Sequence, residues 1–322
     1  MKKVFIFLTF IVLSFPCMAQ GKWSIALHGG AGAMSRDRIS PEREQRYKQG
    51  LQRALDIGVA ILEKGGTSLD AVEAVVVYLE DCPLFNAGRG AVFTADNRNE
   101  LDAAIMSGID LDAGAVINVG DIKNPIKAAK AVMDNSPHVI LTGIGASKFA
   151  REQGLEMVDS GYFRVSKDEL AMVEMFDKDK NEKFGTVGCV ALDQHGSLAA
   201  ATSTGGMSGK KYGRVGDVPI IGAGTYASNT SCAVSGTGHG EFFIRYTVAS
   251  DIARLMEYKG MSVQEAAGEV IHKKMNNLKG YSGGGVICVD KDGSIALEFS
   301  TNGMHRGWAK STGESVVAVF KD

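Results

Sequence analysis

An amide is attacked efficiently only by a hydroxyl that has a base beside it, and Gly185-Thr186-Val187-Gly188 offers an economical source of one. The segment follows a mixed polar run, Asp177-Lys178-Asp179-Lys180-Asn181-Glu182-Lys183, which cannot join a core and reads as a solvated loop. For Thr186 to attack the carbonyl before it, that peptide must adopt an unusual conformation, and a glycine at 185 permits backbone angles that a side chain forbids. Cleavage would give Thr186 its own α-amine, with an ordinary pKa of ~7.7 to 8.0, next to its own hydroxyl. Nucleophile and general base would then be one residue. Taken alone, a Gly-Thr pair before a strand is more often only a turn.

Other chemical motifs fail on context. Gly30-Ala31-Gly32 lacks the third glycine of a dinucleotide fingerprint, because Ser35 stands there. Gly209-Lys210-Lys211 is not a phosphate loop: Thr204 occupies the first glycine position and Lys211 the magnesium-binding hydroxyl position, so it reads as a basic loop. Gly280-Tyr281-Ser282-Gly283-Gly284 matches a nucleophile elbow in letters, yet residues 285–290 read as strand where a helix is needed. Cys82, Cys189, Cys232 and Cys288 form no CxxC pair or metal spacing; they read as buried thiols, with one disulfide left open.

The elements that must position Thr186 are legible from periodicity. A strand over residues 23–27 leads into His28-Gly29-Gly30-Ala31-Gly32-Ala33. A helix follows, capped by Ser40 with Pro41 in its first turn and ended by Gly65. Further helices are expected over residues 68–79 with Ser68 as cap, 125–134, 146–153, 241–258 and 263–277. Residues 185–192 and 197–203 form a hairpin about Asp193-Gln194-His195-Gly196. Ile287-Cys288-Val289-Asp290, Gly293-Ser294 and Ser300-Thr301 repeat that pattern. Two similar antiparallel hairpins with helices outside imply an α+β sandwich.

Composition bounds the partners. The chain has 322 residues, 45% hydrophobic and 22% charged, enough for one large core or two smaller ones. A formal charge of -2 supplies no basic field, so nucleic acid is not an expected partner. Lys2 and Lys3, an apolar run over residues 4–15 and then Pro16-Cys17-Met18-Ala19-Gln20 have the order of a secretory signal, with cleavage expected after Ala19. That reading makes residues 1–19 a signal peptide and the mature protein periplasmic or secreted. Pro16 disfavours the alternative of a lipid on Cys17. No segment is apolar for long enough to span a bilayer, so no membrane partner is expected either.

Several segments in one order make the chain resemble the plant-type asparaginases, or isoaspartyl peptidases, of the N-terminal-nucleophile hydrolase superfamily. They are His28 to Ala33, Leu84-Phe85-Asn86-Ala87-Gly88-Arg89-Gly90, Glu100-Leu101-Asp102-Ala103, Gly185-Thr186-Val187-Gly188, and Ser203-Thr204-Gly205-Gly206-Met207. Gly213-Arg214-Val215-Gly216-Asp217 and Ser235-Gly236-Thr237-Gly238-His239-Gly240-Glu241 complete the set. The resemblance implies a four-layer αββα sandwich, cut into an α-subunit of residues 20–185 and a β-subunit of residues 186–322, assembled as (αβ)2.

It also implies Thr186 as nucleophile, Thr204 as its hydroxyl partner, and Thr237 with Gly238 as oxyanion donors. The substrate site is implied to run from Arg214 through Val215 and Gly216 to Asp217 and from Thr237 through Gly238 and His239 to Gly240. A guanidinium can grip an α-carboxylate through two parallel bonds, while an aspartate receives the α-ammonium. A structural sodium is implied at the carbonyls of Leu79, Glu80, Cys82, Phe85, Ala87 and Arg89, with no organic cofactor. The expected substrates are asparagine and β-aspartyl dipeptides. Glycosylasparaginases carry aspartate where Gly185 stands, which argues against a glycosylated substrate. An exported amino-acid-binding protein that lost the chemistry is the non-catalytic alternative.

Overall fold

The computed structural model describes residues 21–37, 39–165 and 185–321. The expected signal and the charged run before Phe184 lie outside the described residues. Strand β1, Ser24–Gly32, is followed by α1, Pro41–Glu63, and α2, Ser68–Asp81. Next come a single 3-10 turn, Gly88–Gly90, β2, Leu101–Ser107, β3, Ala113–Val119, α3, Pro125–Asn135, β4, Ile140–Thr142, and α4, Gly143–Glu152. Beyond the undescribed segment lie β5, Val187–Leu192, β6, Leu198–Thr204, β7, Thr225–Ala227, and β8, Cys232–Gly238. Helices α5, Gly240–Tyr246, α6, Val248–Lys259, and α7, Val263–Gly268, precede β9, Gly284–Asp290, β10, Ile295–Phe299, β11, Gly303–Lys310, and β12, Ser315–Phe320.

The strands form one sheet ordered β12-β11-β1-β5-β6-β2-β3-β4 and a second ordered β10-β9-β8-β7. Pairing is antiparallel except at the edge, where β4 runs parallel to β3. Helices α1 to α4 cover the larger sheet over a core that includes Leu51, Leu55, Val72, Val75, Ile105 and Phe163. The sheets meet over Ala26, Val190, Ala200, Ile287, Val289 and Met304, and α5 to α7 pack on the smaller sheet through Phe243, Ile252 and Ala266. This is the αββα sandwich expected from the sequence. The β5–β6 hairpin lies in one sheet and its echo, β9–β10, in the other. Among the described residues no helix is long and apolar enough to cross a membrane.

Several local expectations are corrected. β1 runs on through the glycines to Gly32, with a register shift between His28 and Gly30, because pairing with β11 satisfies the backbone that lacks side chains. The cap of α2 is Thr67, whose Oγ1 accepts from Asp70 N–H, and Ser68 is the first helical residue. Thr67→Ala is therefore expected to destabilise the fold by ~1 kcal/mol, and Ser68→Ala by less, in a denaturant titration.

The helix expected over residues 241–258 breaks at Thr247, which adopts φ 45°. There the N–H groups of Ala249 and Ser250 donate to the carbonyls of Ala223 and Gly222. A tertiary partner thus caps α6 where sequence shows no breaker. The helix expected over residues 263–277 is α-helical only to Gly268 and continues as a π-helix, Glu269–Met275. Cys189, Cys232 and Cys288 are buried free thiols, while Cys82 is free and partly exposed.

Candidate active site

Thr186 stands at the entrance to β5, in the middle of the large sheet, with Thr204 at the adjacent end of β6. Its Oγ1 donates to Thr204 Oγ1 at 3.2 Å, and Thr204 Oγ1 also accepts from Gly206 N–H at 3.0 Å. Across the gap between sheets, Thr237 Oγ1 accepts from Thr186 N–H at 3.3 Å and from Ala31 N–H at 3.2 Å. With both lone pairs engaged, the Thr237 hydroxyl hydrogen remains to be donated, the role an oxyanion donor needs.

Gly185 has φ 70°, and a Cβ there would lie 2.3 Å from Gly30 Cα and 2.9 Å from Ala31 N. Both backbone angle and space demand glycine at that position. The glycines of the His28–Ala33 segment thus let the bond before Thr186 approach β1.

A pocket of about 410 Å3 opens over this group. Of the residues expected at the site, Gly185, Thr186, Thr204, Arg214, Gly216, Asp217, Gly238 and His239 line it. Thr237 meets the site through Thr186 N–H, and Gly240 abuts Arg214 and Asp217. Val215 is not among the lining residues. A larger groove of about 610 Å3, between β10, β11 and β12, is lined by no serine, threonine or cysteine. It has volume without a nucleophile.

Arg214 and Asp217 do not pair with each other. Arg214 Nε and Nη2 donate to the two carboxylate oxygens of Glu241, each at 2.9 Å, which leaves the Nη1–Nη2 edge, with a hydrogen on each nitrogen, for a ligand. Glu241, read from sequence only as a helix start, is held below the usual carboxylate range first by that hydrogen bond. Asp217 is buried, its Oδ2 has no hydrogen-bond partner among the described residues, and burial pushes its carboxyl up to about 7. A buried carboxylate oxygen without a donor is suited to receive an ammonium group.

Other contributors escaped the sequence reading. Asn118, at φ 53°, donates its N–H to Asp102 Oδ1 and its Nδ2 to the Gly213 carbonyl, steadying the loop that carries Arg214. Lys210, expected on a basic loop, is instead buried and donates to the Glu100 carbonyl at 2.8 Å. Burial pushes the neighbouring Asp102 up to about 6, with Lys210 opposing the shift. Asn86 accepts Val92 N–H and donates to the Gly206 carbonyl, fixing the far wall. Ser282 also lines the pocket, with Oγ 3.2 Å from His239 Nδ1, but it precedes β9 and so lacks the strand-to-helix turn of an elbow.

Two stacked sheets with helices on both outer faces are the architecture of the N-terminal-nucleophile hydrolases. Comparison narrows that class. The asparaginase family profile matches residues 21–319. The isoaspartyl peptidase of Escherichia coli strain K12 is 46% identical over 314 residues, covering 94% of this chain and 97% of its own length. The isoaspartyl peptidase/L-asparaginase of Homo sapiens is 41% identical over 297 residues, covering 89% of this chain and 92% of its own. A probable isoaspartyl peptidase/L-asparaginase 2 of Arabidopsis thaliana is 40% identical over 332 residues, covering 94% and 100%. The chain belongs to the asparaginase family and is an amide hydrolase. The expectation of a periplasmic or secreted protein is corrected by the same relatives, since the homologues from Escherichia coli and mammals are mainly cytosolic enzymes.

Proposed function

We propose that the chain cuts itself between Gly185 and Thr186, and that Thr186 then hydrolyses asparagine and β-aspartyl dipeptides through an acyl-enzyme. The observation that carries this reading is the setting of Thr186. Its hydroxyl meets Thr204, its N–H meets Thr237, and its only chain neighbour on that side is a glycine at φ 70°. Once cut, the Thr186 amine takes the hydroxyl proton, and the alkoxide attacks the side-chain carbonyl of the substrate. The Thr237 hydroxyl and Gly238 N–H receive the developing oxyanion. The protonated amine then returns its proton to the leaving amine, and water releases aspartate. Arg214 grips the α-carboxylate through its Nη1–Nη2 edge and Asp217 the α-ammonium, so a free amino-acid end is read by opposite charges.

The segment ending at Gly185 and the segment beginning at Thr186 would then be α- and β-subunits of one folded unit, two copies of each assembling as (αβ)2. The exposed apolar side chains Val139, Ile140 and Ile144 at the β4 edge support such self-association. The implied sodium fits the loop after α2. Pro83 has no N–H for the Leu79 carbonyl, and a Cβ on Gly88 or Gly90 would lie 2.4 Å from the Glu80 oxygen or 1.9 Å from that of Phe85. Carbonyls of Leu79, Glu80, Cys82, Phe85, Ala87 and Arg89 would hold the ion, which would supply rigidity behind Asn86.

A panel of asparagine, a β-aspartyl dipeptide and a glycosylated asparagine tests the reading. Turnover of the first two is expected. Turnover confined to the glycosylated substrate, or ligand binding without turnover, would overturn it.

Asp217 adds a pH dependence. Because its carboxyl in the empty site ionises at about 7, the form that accepts ammonium is lost as pH falls through that value. Competitive inhibition by aspartate should weaken about tenfold per pH unit below that point. Inhibition constants flat between neutral pH and pH ~5 would contradict the assignment, since an unburied aspartate titrates near 3.9.

A further inference from the structure

Behind Thr186, three strands of the large sheet align His28, Gly188 and Thr202 side by side. Gly188 is central, and its backbone needs no glycine, since its φ is not positive. Space is what it supplies. A Cβ at 188 would stand 2.0 Å from Ser235 Oγ and 2.6 Å from His28 Nε2. Through that opening the Ser235 hydroxyl, from the opposite sheet, reaches the first sheet. His28, Thr202, Thr225 and Ser235 are all fully buried.

The contacts form one line. His28 Nδ1 is 2.9 Å from the Thr186 carbonyl oxygen, which can only accept, so Nδ1 carries the hydrogen. His28 Nε2 lies 3.0 Å from Ser235 Oγ, which lies 2.7 Å from Thr202 Oγ1. Thr202 Oγ1 is 2.7 Å from Thr225 Oγ1, and Thr225 Oγ1 is 3.0 Å from the carbonyl oxygen of Val218. Val218 directly follows Asp217. The line therefore runs from the peptide group of Thr186 to the loop that carries the proposed ammonium acceptor.

Hydrogen counting shows why the two ends depend on each other. Burial holds the imidazole neutral, down to about 4, so Nε2 only accepts. Three hydroxyl hydrogens then serve the contacts joining Nε2, Ser235, Thr202, Thr225 and the Val218 oxygen, which is one too few. If Ser235 donates to His28, Thr202 to Ser235 and Thr225 to Thr202, Val218 goes without. If Thr225 donates to Val218, the gap moves to an inner contact. A shift of the Asp217–Val218 loop thus selects how the hydroxyls behind Thr186 point.

We propose that His28, Ser235, Thr202 and Thr225 are a buried positioning relay coupling the seating of Thr186 to occupancy of the Asp217 loop. The relay rests on the reading of Thr186 as nucleophile. It moves no proton to substrate and touches none; it acts through Thr186 and Val218.

Thr202→Val cuts the relay at its middle while keeping shape, and Thr202→Ser keeps the hydroxyl. Per mature site, T202V should lower kcat about tenfold to a hundredfold, as expected for a displaced nucleophile, with T202S close to the parent protein. Asp217→Asn should lower kcat less in the T202V background than alone, because the ends are already disconnected. Parental kcat in T202V, equal loss in T202S, or strictly additive effects with D217N would overturn the relay. If T202V does not fold, Ser235→Ala carries the same comparison, since it removes the hydroxyl and little volume. Retained turnover in Thr186→Ala would instead remove the nucleophile reading itself, so the two failures are distinguishable.

Discussion

Replacing Thr186 by alanine is expected to leave one uncut chain and to lower turnover of asparagine by a factor on the order of 10^4 to 10^6, the range seen when a covalent nucleophile is deleted. The change removes the attacking oxygen and, because no cut follows, the free amine that would act as its base. The fold should survive. Thr186 gives up one hydroxyl contact, to Thr204, while its N–H keeps Thr237 as partner. The unfolding midpoint should therefore move little while both reactions stop. Thr186→Ser preserves both roles, since it keeps the hydroxyl and the amine; partial self-cleavage with partial turnover is the expected result. Gel electrophoresis and an ammonia-release assay read both outcomes. An uncut T186A chain that still turns over asparagine would show that another group does the chemistry.

The second large effect is expected at Arg214. Its two bonds to Glu241 orient the guanidinium, so loss of the side chain removes the ligand's charged partner and strands a carboxylate at the pocket rim. Charge-assisted bonds contribute about 1.5 to 3 kcal/mol each, so losing a two-bond grip in Arg214→Ala should lower kcat/KM by about 10^2 to 10^4. Arg214→Lys keeps the charge without the fork and should recover only part of this. Glu241→Gln should fall between the parent protein and R214A, because it loosens the arginine without removing it. Steady-state kinetics on asparagine check all three. Equal kcat/KM for R214A and the parent would mean that the α-carboxylate is bound elsewhere.

Much of the frame was legible because local chemistry and tertiary structure agree. Ser40 and Pro41 start α1 as expected, and the hairpin after Gly185 forms about its Asp193–Gly196 turn. Its echo near the C-terminus does become a matching hairpin in the opposite sheet. At the site, residue type alone was not enough, since a lone Gly-Thr is usually a turn and an Arg-Asp spacing of three is usually a surface pair; the family resemblance picked out Gly185, Thr186, Arg214 and Asp217, and the fold brings these four to one pocket. What stayed hidden depends on partners far along the chain. Thr247 breaks a helix because loop carbonyls at 222 and 223 bond the next turn, and nothing near residue 247 signals it. Lys210 looks like a surface cation until Glu100 and Asp102 are seen around it. Glu241 was visible in the motif, but its grip on Arg214 spans 27 residues of sequence. Gly188 carried a signal that could have been used: a glycine inside a strand marks a close approach, here by Ser235.

The most direct measurement is N-terminal sequencing combined with intact mass on protein that is turning over asparagine. Two fragments are expected, the second opening with Thr-Val-Gly from residue 186, in proportion to activity. A fully active preparation in which the nitrogen of Thr186 is still acylated by Gly185 would contradict the account.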